Sequence, residues 1–445
     1  MRAPGKNEIG EAGMENPGKR MYGIAKELFP ICRSITGDGV RQTLQILKKT
    51  IPQMDIFEVP SGTEAFDWEI PKEWNIQDGY IENSIGERVL DFKENNLHVM
   101  GYSVPVDAYV PLEELKKHIY TEPSQPSVIP YVTSYYKERF GFCMSEEQKN
   151  SLPEDIYHMC IRSELKLGSM TYGEVVLPGE SREEVFFSTY ICHPSMANNE
   201  CSGPALAAYL AAWLAGRKRR RYTYRFVFIP ETIGSIYYLS RHKDRLRGHM
   251  VAGFNLSCVG DDDNYSIVES RYGDTLADRA LKNALKGHGK GFVAYSFLKR
   301  GSDERQYNAP GIDLPVVSFC RTKYGEYPQY HTSADDMGYI SPEGFQGSFE
   351  VISKVVEALE HNRKYRVKVF CEPQLGKRGL YPTISQKGQY DEVYRLTNFI
   401  AYADGRNDLI DISDRIGCPV GKLIEMAGKL VENGLFEAVE GQGNG

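Results

Sequence analysis

Residues 188–203 read Ser-Thr-Tyr-Ile-Cys-His-Pro-Ser-Met-Ala-Asn-Asn-Glu-Cys-Ser-Gly. An apolar run over 185–192 ends at His193, a polar turn carries Asn198, Asn199 and Glu200, and a helix of small residues starts near Ser202. Strand, polar loop and helix in that order form the unit on which α/β proteins carry chemistry, because the loops at strand carboxyl ends vary freely above a rigid sheet. By itself the stretch also fits a strand capped by a histidine and an ordinary turn. The choice depends on what stands at the ends of the neighbouring strands.

Working outward, the spacing of apolar residues predicts strands at 185–192, 224–229, 251–256 and 316–319. Helices are predicted at 204–215, 235–246, 275–285 and 342–360. Alternation at this spacing, with strands that are continuously apolar, gives an α/β fold with a mixed, mostly parallel sheet and helices on both faces. Upstream, two helical patterns over 21–29 and 40–49 flank a turn at 32–39, and a first strand follows at 56–59. Between 66 and 157 the pattern changes to short alternating runs broken by Pro71, Pro105, Pro111, Pro123, Pro126, Pro130 and Pro153, with one short helix at 112–118. This is expected to be a β-rich domain inserted into the α/β domain. Beyond 372, a helix over 390–402, a second helix-turn-helix pattern and a strand after Gly434 resemble a winged helix. The expected organisation is a disordered leader at 1–20, an α/β domain from 21–65 and 158–371, the insertion at 66–157 and a winged-helix-like domain at 372–445.

A chain of 445 residues exceeds what one compact core serves, consistent with this division. Its formal charge of -7 gives no general attraction to nucleic acid or anionic lipid. The basic run at 217–221 sits between a helix end and a strand, where it complements the helix dipole. From 391 onward ten acidic residues outweigh five basic ones, so the tail would gain little from counterion release and nucleic acid is not an expected partner. No secretory signal or membrane-length apolar run is present, and nine scattered cysteines argue against a disulfide framework or a cysteine-based metal module. A cytoplasmic protein with no membrane partner is expected; a homo-oligomer is left open.

Four polar clusters fall at strand ends: His193 with Asn199 and Glu200; Glu231 after the strand at 224–229; Ser302-Asp303-Glu304-Arg305; and His331 before Thr332. Strand carboxyl ends gather on one edge of such a sheet, so these clusters can converge. Two histidines and a carboxylate with an open fourth position make a hydrolytic zinc site, and a further carboxylate can serve as general base. Glu231, directly after an apolar strand and before a glycine-started helix, suits that base; it also suits a helix N-terminal acid.

The ordered series His193-Pro194, Asn198-Asn-Glu-x-Ser-Gly, Pro230-Glu-Thr-Ile-Gly-Ser, Asn255-Leu-Ser-Cys-Val-Gly, Ser302-Asp-Glu and Tyr330-His-Thr resembles the zinc aminopeptidases of the co-catalytic di-zinc type. The span from about 21 to 437 is similar to a bacterial aminopeptidase-like family often described with polysaccharide biosynthesis, which has an inserted β domain and a C-terminal winged helix. Its most specific match here is Tyr324-Gly325-Glu326-Tyr327-Pro328 with His331-Thr332-Ser333-Ala334-Asp335. The resemblance implies a sheet of the zinc exopeptidase type, Glu231 as base, and a pocket shaped by Glu304, Arg305, Tyr324, Tyr327 and Tyr330. It also exposes departures: Asn199 stands at the bridging aspartate, Thr232 at a second glutamate, and Ser257 at a third-strand aspartate. One zinc per chain is therefore expected, held by His193, Glu200 and His331, with Asn199 or Asp303 as a further ligand or as support for one.

The expected function is zinc-dependent hydrolysis of an amide bond in a small peptide or aminoacyl substrate. Three alternatives stay open: an amidohydrolase or deacylase acting on an amino-sugar or specialised-metabolite amide; a catalytically retired binding or assembly module; and, more weakly, a DNA-binding regulator.

Overall fold

The computed structural model describes residues 16–380 and 390–439. Most of the expected leader lies outside the described residues, but its end does not. The helix Pro17–Leu28 already occupies it, with Pro17 in the first turn and the Asn16 side chain accepting the Lys19 amide. The chain divides into two units, residues 1–273 with 293–349 and residues 274–292 with 350–445.

The first unit is built on an eight-stranded sheet. In chain order its strands are β1 (Asp55–Pro60), β2 (Ser169–Leu177), β3 (Glu184–Tyr190), β4 (Thr223–Ile229), β5 (Met250–Leu256), β6 (Ser266–Val268), β7 (Val293–Tyr295) and β8 (Val316–Cys320). Their spatial order is β1-β2-β4-β3-β5-β8-β6-β7. The central pairs β4-β3, β3-β5 and β5-β8 are parallel, and β1-β2, β2-β4 and β6-β8 are antiparallel. This is the mixed, mostly parallel sheet that the alternation predicts, with β6 and β7 also parallel.

Every residue of β3 is buried, as a strand covered on both faces requires. Phe187 lies between Phe226 and Phe254 of the flanking strands at ring distances of 4.9 and 5.3 Å, a cross-strand ladder that fixes register. On the opposite face Phe186, Tyr190, Val227 and Ile229 form a core with Tyr238, Leu239 and Leu246 of the helix Ile233–His249. The helix Ser202–Ala215 enters tightly: a Cβ at Gly203 would sit 2.4 Å from the Leu256 carbonyl oxygen, so only glycine permits that approach.

The insertion is a four-stranded antiparallel sheet in the order Arg88–Asp91, Glu73–Glu82, Ile156–Lys166, Val106–Pro111, with its own core around Ile81, Phe142, Tyr157 and Met159. Its last strand pairs with Glu73–Glu82 as far as Lys166. The insertion thus runs past the boundary at 157, because the inside-outside alternation of that strand does not stop there.

In the second unit the helices Tyr390–Tyr402, Leu409–Ile416 and Val420–Glu432 pack on a three-stranded sheet ordered Asp404–Asp408, Lys364–Val367, Phe436–Val439. The sheet takes a strand from before residue 372, so the domain starts earlier than composition implied. The helix Leu276–His288 also belongs to this unit. Its Arg279 reaches Asp408 at 3.0 Å and Asp411 at 2.6 Å, the two acids that cap Leu409–Ile416. It connects the parallel strands β6 and β7 of the main sheet, as the alternation predicts, and its charged face finds partners more than a hundred residues away. Among the described residues no helix is long and apolar enough to cross a membrane.

Candidate functional site

The clusters meet above the carboxyl edge of the sheet. His193 follows β3, Glu231 follows β4, Ser257 follows β5, and the chain leaving β8 carries His331. After β3 the backbone forms one π-type turn, Ala197–Cys201, before the helix Ser202–Ala215 begins. The wide turn is held from outside. The fully buried Asp335 carboxylate accepts the Asn198 and Asn199 amides at 2.6 and 3.0 Å and the Tyr327 hydroxyl at 3.2 Å. Burial pushes the Asp335 carboxyl up to about 7.

His193 is buried, and each side of its ring meets a different environment. Nδ1 lies 2.8 Å from Glu200, whose other oxygen is 3.6 Å from the Arg33 guanidinium. Arg33 is itself fully buried and donates to the His193 carbonyl at 2.9 Å and the Leu28 carbonyl at 2.6 Å. Nε2 lies 3.8 Å from a Glu231 carboxylate oxygen. The His331 ring stands 5.4 Å from that of His193, and Tyr131 touches both, 5.0 Å from each. Tyr330 stacks on His331 at 3.9 Å. His331 holds a left-handed backbone, φ 58°, and its carbonyl accepts the Tyr131 amide at 2.8 Å.

Electrostatics keep both imidazoles neutral. Burial, helped by the Arg33 charge, lowers His193 to about 3; burial and the neighbouring His193 lower His331 to about 3. Burial pushes Glu231 up to about 8, reinforced by Asp303 and opposed by Arg305. Asp303 is raised to about 6, chiefly by burial, although it accepts the Thr232 amide and the Ser235 hydroxyl, each at 2.8 Å.

The donor set suits a divalent metal of the zinc kind. Two neutral imidazoles and a carboxylate face one another, and His331 Nε2 and Asn199 Oδ1 are buried without any hydrogen-bond partner. Such orphaned acceptors are costly unless something occupies them. Cys192, His193 and Glu200 also bring ligand atoms within 4.8 Å of one another, but on the Nδ1 side, where the Arg33 guanidinium repels a cation. Glu200, expected as a ligand beside His331, meets the Nδ1 side of the His193 ring, opposite the side that Glu231 approaches. The positions where the resemblance calls for further acids are occupied by a neutral network: the Tyr190 hydroxyl bonds Ser257 and accepts from Asn199 Nδ2 at 2.6 Å.

Among the expected pocket residues, Arg305 and Tyr330 stand half-buried at the site. Arg305 donates to the Thr232 hydroxyl at 2.6 Å. Glu304 does not line the pocket. Fully buried, it accepts from the Gly301 amide, the Ser318 hydroxyl and the Tyr324 hydroxyl, so Tyr324 turns inward with it. Tyr327 is buried on Asp335. Sequence reasoning missed Arg33, Tyr131, Tyr190 and the role of Asp335. The dense turn at 32–39 marked the place of Arg33, but nothing near Tyr131 pointed to the histidines.

A protein-family model described as "Domain of unknown function (DUF4910)" matches residues 22–362, and one described as "winged helix-turn-helix" matches 363–438. A Clostridium acetobutylicum protein named for polysaccharide biosynthesis and an aminopeptidase-like domain is 45% identical over 402 residues, covering 90% of this chain and 92% of that one. A crystal structure from the same organism, described as a candidate peptidase, has a TM-score of 0.89 and 43% identity, covering 95% of this chain and 96% of that one. A zinc aminopeptidase from Bacillus subtilis shares the fold at a TM-score of 0.57 and 13% identity, covering 78% of this chain and 96% of its own.

Proposed function

The chain belongs to the DUF4910 family, and on that premise we propose that it is a metal-dependent amide hydrolase of aminopeptidase type, acting on a small peptide or aminoacyl substrate. One observation carries the reading. Glu231 stands 3.8 Å from the free nitrogen of a histidine whose other nitrogen is tied by Glu200, with a second neutral histidine alongside. His193, His331 and the Asn199 carbonyl oxygen would hold one zinc ion. When bound, zinc supplies Lewis acidity and a nucleophile at neutral pH. Glu231, raised toward neutrality, takes a proton and returns it to the leaving amine. Glu200 and Arg33 keep His193 in one tautomer and orientation. Tyr131 and Tyr330 wall the histidines, excluding water and long polypeptides. All nine cysteines are free, in keeping with a cytoplasmic protein.

The test is elemental analysis of the purified protein together with turnover of aminoacyl anilides by Glu231→Gln. About one zinc retained and a rate lowered by roughly 10²- to 10⁴-fold are expected. Undiminished turnover would remove Glu231 from the mechanism. A second reading keeps the reaction and changes the substrate to an N-acyl amino sugar; the name of the Clostridium relative supports it. A panel of anilides and N-acyl amino sugars separates the two, since only the first needs a free α-amine. The neutral Asn199, Thr232 and Ser257 support a retired binding module instead if the protein holds under about a tenth of an equivalent of zinc and binds it weakly.

A further inference from the structure

Among the described residues of the first unit, the fully buried guanidinium groups are matched. Arg33 meets Glu200 and two carbonyls, Arg225 meets Glu174 and Glu184, and Arg321 donates to the carbonyls of Asn264 and Gly344 while lying on the Tyr265 ring. Arg305, half-buried at the site, is not matched in this way. Its one hydrogen bond runs from Nη2 to the Thr232 hydroxyl, and among the described residues no carboxylate comes within ion-pair distance. Nε is buried without a partner, and Nη1 makes no hydrogen bond while still reaching solvent.

The neighbouring acids make no ion pair with Arg305, although its charge lowers the Glu231 and Asp303 carboxyls and Asp303 Oδ2 is itself buried without a partner. Asp303 spends Oδ1 on the Thr232 amide and the Ser235 hydroxyl, Glu304 is enclosed by Gly301, Ser318 and Tyr324, and Glu231 faces His193. Yet Thr232, which anchors Arg305, directly follows Glu231. A guanidinium offers five N–H donors in a planar fork that fits a carboxylate, and holding it half-buried with one bond made is unfavourable unless a ligand completes the set.

We propose that Arg305 forms an anion subsite beside Glu231 and selects amides that carry a free carboxylate close to the scissile bond; as a statement about substrate, this rests on the hydrolase reading above. The carboxylate can come from the acyl side, as in a glutamyl amide, or from the amine side, as in an N-acyl amino acid. Either source presents the same planar anion to Nη1.

The subsite is tested first by binding, in the full chain freed of metal by chelation. Calorimetric titrations use glutarate, its uncharged analogue glutaramide, and inorganic phosphate. Glutarate is expected to bind saturably and glutaramide at least tenfold more weakly. Arg305→Met, with an unchanged circular dichroism spectrum, is expected to lose glutarate affinity by tenfold or more, and Arg305→Lys to fall between. The proposal is overturned if neither probe binds, if both bind alike, if Arg305→Met keeps the affinity, or if phosphate is preferred to glutarate. Turnover then compares glutamyl with glutaminyl anilide and acetylleucine with its α-amide, acetylleucinamide; the acidic-to-neutral ratio of kcat/KM is expected to drop tenfold or more in Arg305→Met on one of the two sides. Glutarate binding that depends on Arg305 without hydrolysis of any amide defeats the hydrolase reading and leaves the subsite standing.

Discussion

A histidine acts through whichever ring nitrogen its surroundings leave open, and at His193 that choice belongs to Glu200 and Arg33. The sequence named His193, Glu231 and His331 from their places after strands, because topology alone gathers strand ends. It could not assign Glu200, since a residue seven positions along can meet either nitrogen, and only the buried Arg33 decides which. The same burial makes a pH prediction for the metal-free protein. Glu231 is raised from 4.5 to about 8, so the native state keeps a proton that the unfolded chain releases. That contribution is complete below about 4.5 and declines as pH rises toward 8. The histidines act oppositely: held near 3, they stay neutral while the unfolded chain takes up protons below about 6.5, so stability falls as pH drops from there. Above about pH 6.5 the histidines no longer contribute, so thermal midpoints of the chelated protein should decline from there to pH 8, and Glu231→Gln should decline less steeply. Equal slopes would show that Glu231 does not bear the shifted proton.

Elements were legible wherever local periodicity set them, as at β3 and the helix Ser202–Ala215, and illegible wherever a distant group did. The π-type turn between them depends on Asp335, which lies 137 residues from Asn198. The insertion acts at this scale too. Tyr131 and its neighbours run alongside the His331 segment: Ile129 and Ser333 exchange hydrogen bonds, Pro130 bridges Thr332, and Gln125 donates to the Pro328 carbonyl. A strand-like seam therefore holds the second histidine from outside the sheet that carries the first. Tyr131→Ala should weaken zinc binding by about tenfold, the usual scale for losing support around a ligand, with Tyr131→Phe close to wild type. Competition against a chromogenic chelator measures this, and equal affinities in all three proteins would confine Tyr131 to packing.

At the scale of the molecule, the expected boundaries at 157 and 372 came from changes in composition, whereas strand pairing of the insertion runs on to Lys166 and that of the C-terminal sheet starts at Lys364. The two units have separate cores, and the candidate metal site lies wholly in the first. A ligand stabilises only what binds it, by about 2.7 kcal/mol at a hundredfold excess over its Kd. Calorimetry with zinc should raise the transition of the first unit and leave that of the second in place; a common shift would mean that the units melt as one.

The division at 273 and 293 also has a consequence for how the chain comes to be folded. The helix Leu276–His288 leaves the ribosome well before Asp408 and Asp411, and the rest of the first unit is made in between. Its Arg279 and Asn283 have to wait for Asp408, Asp411 and Ser413 while its neighbours in sequence assemble around β8. Synthesis order and assembly order are thus out of step by more than a hundred residues, and a nascent chain stalled near residue 360 would leave Arg279 without its acidic partners.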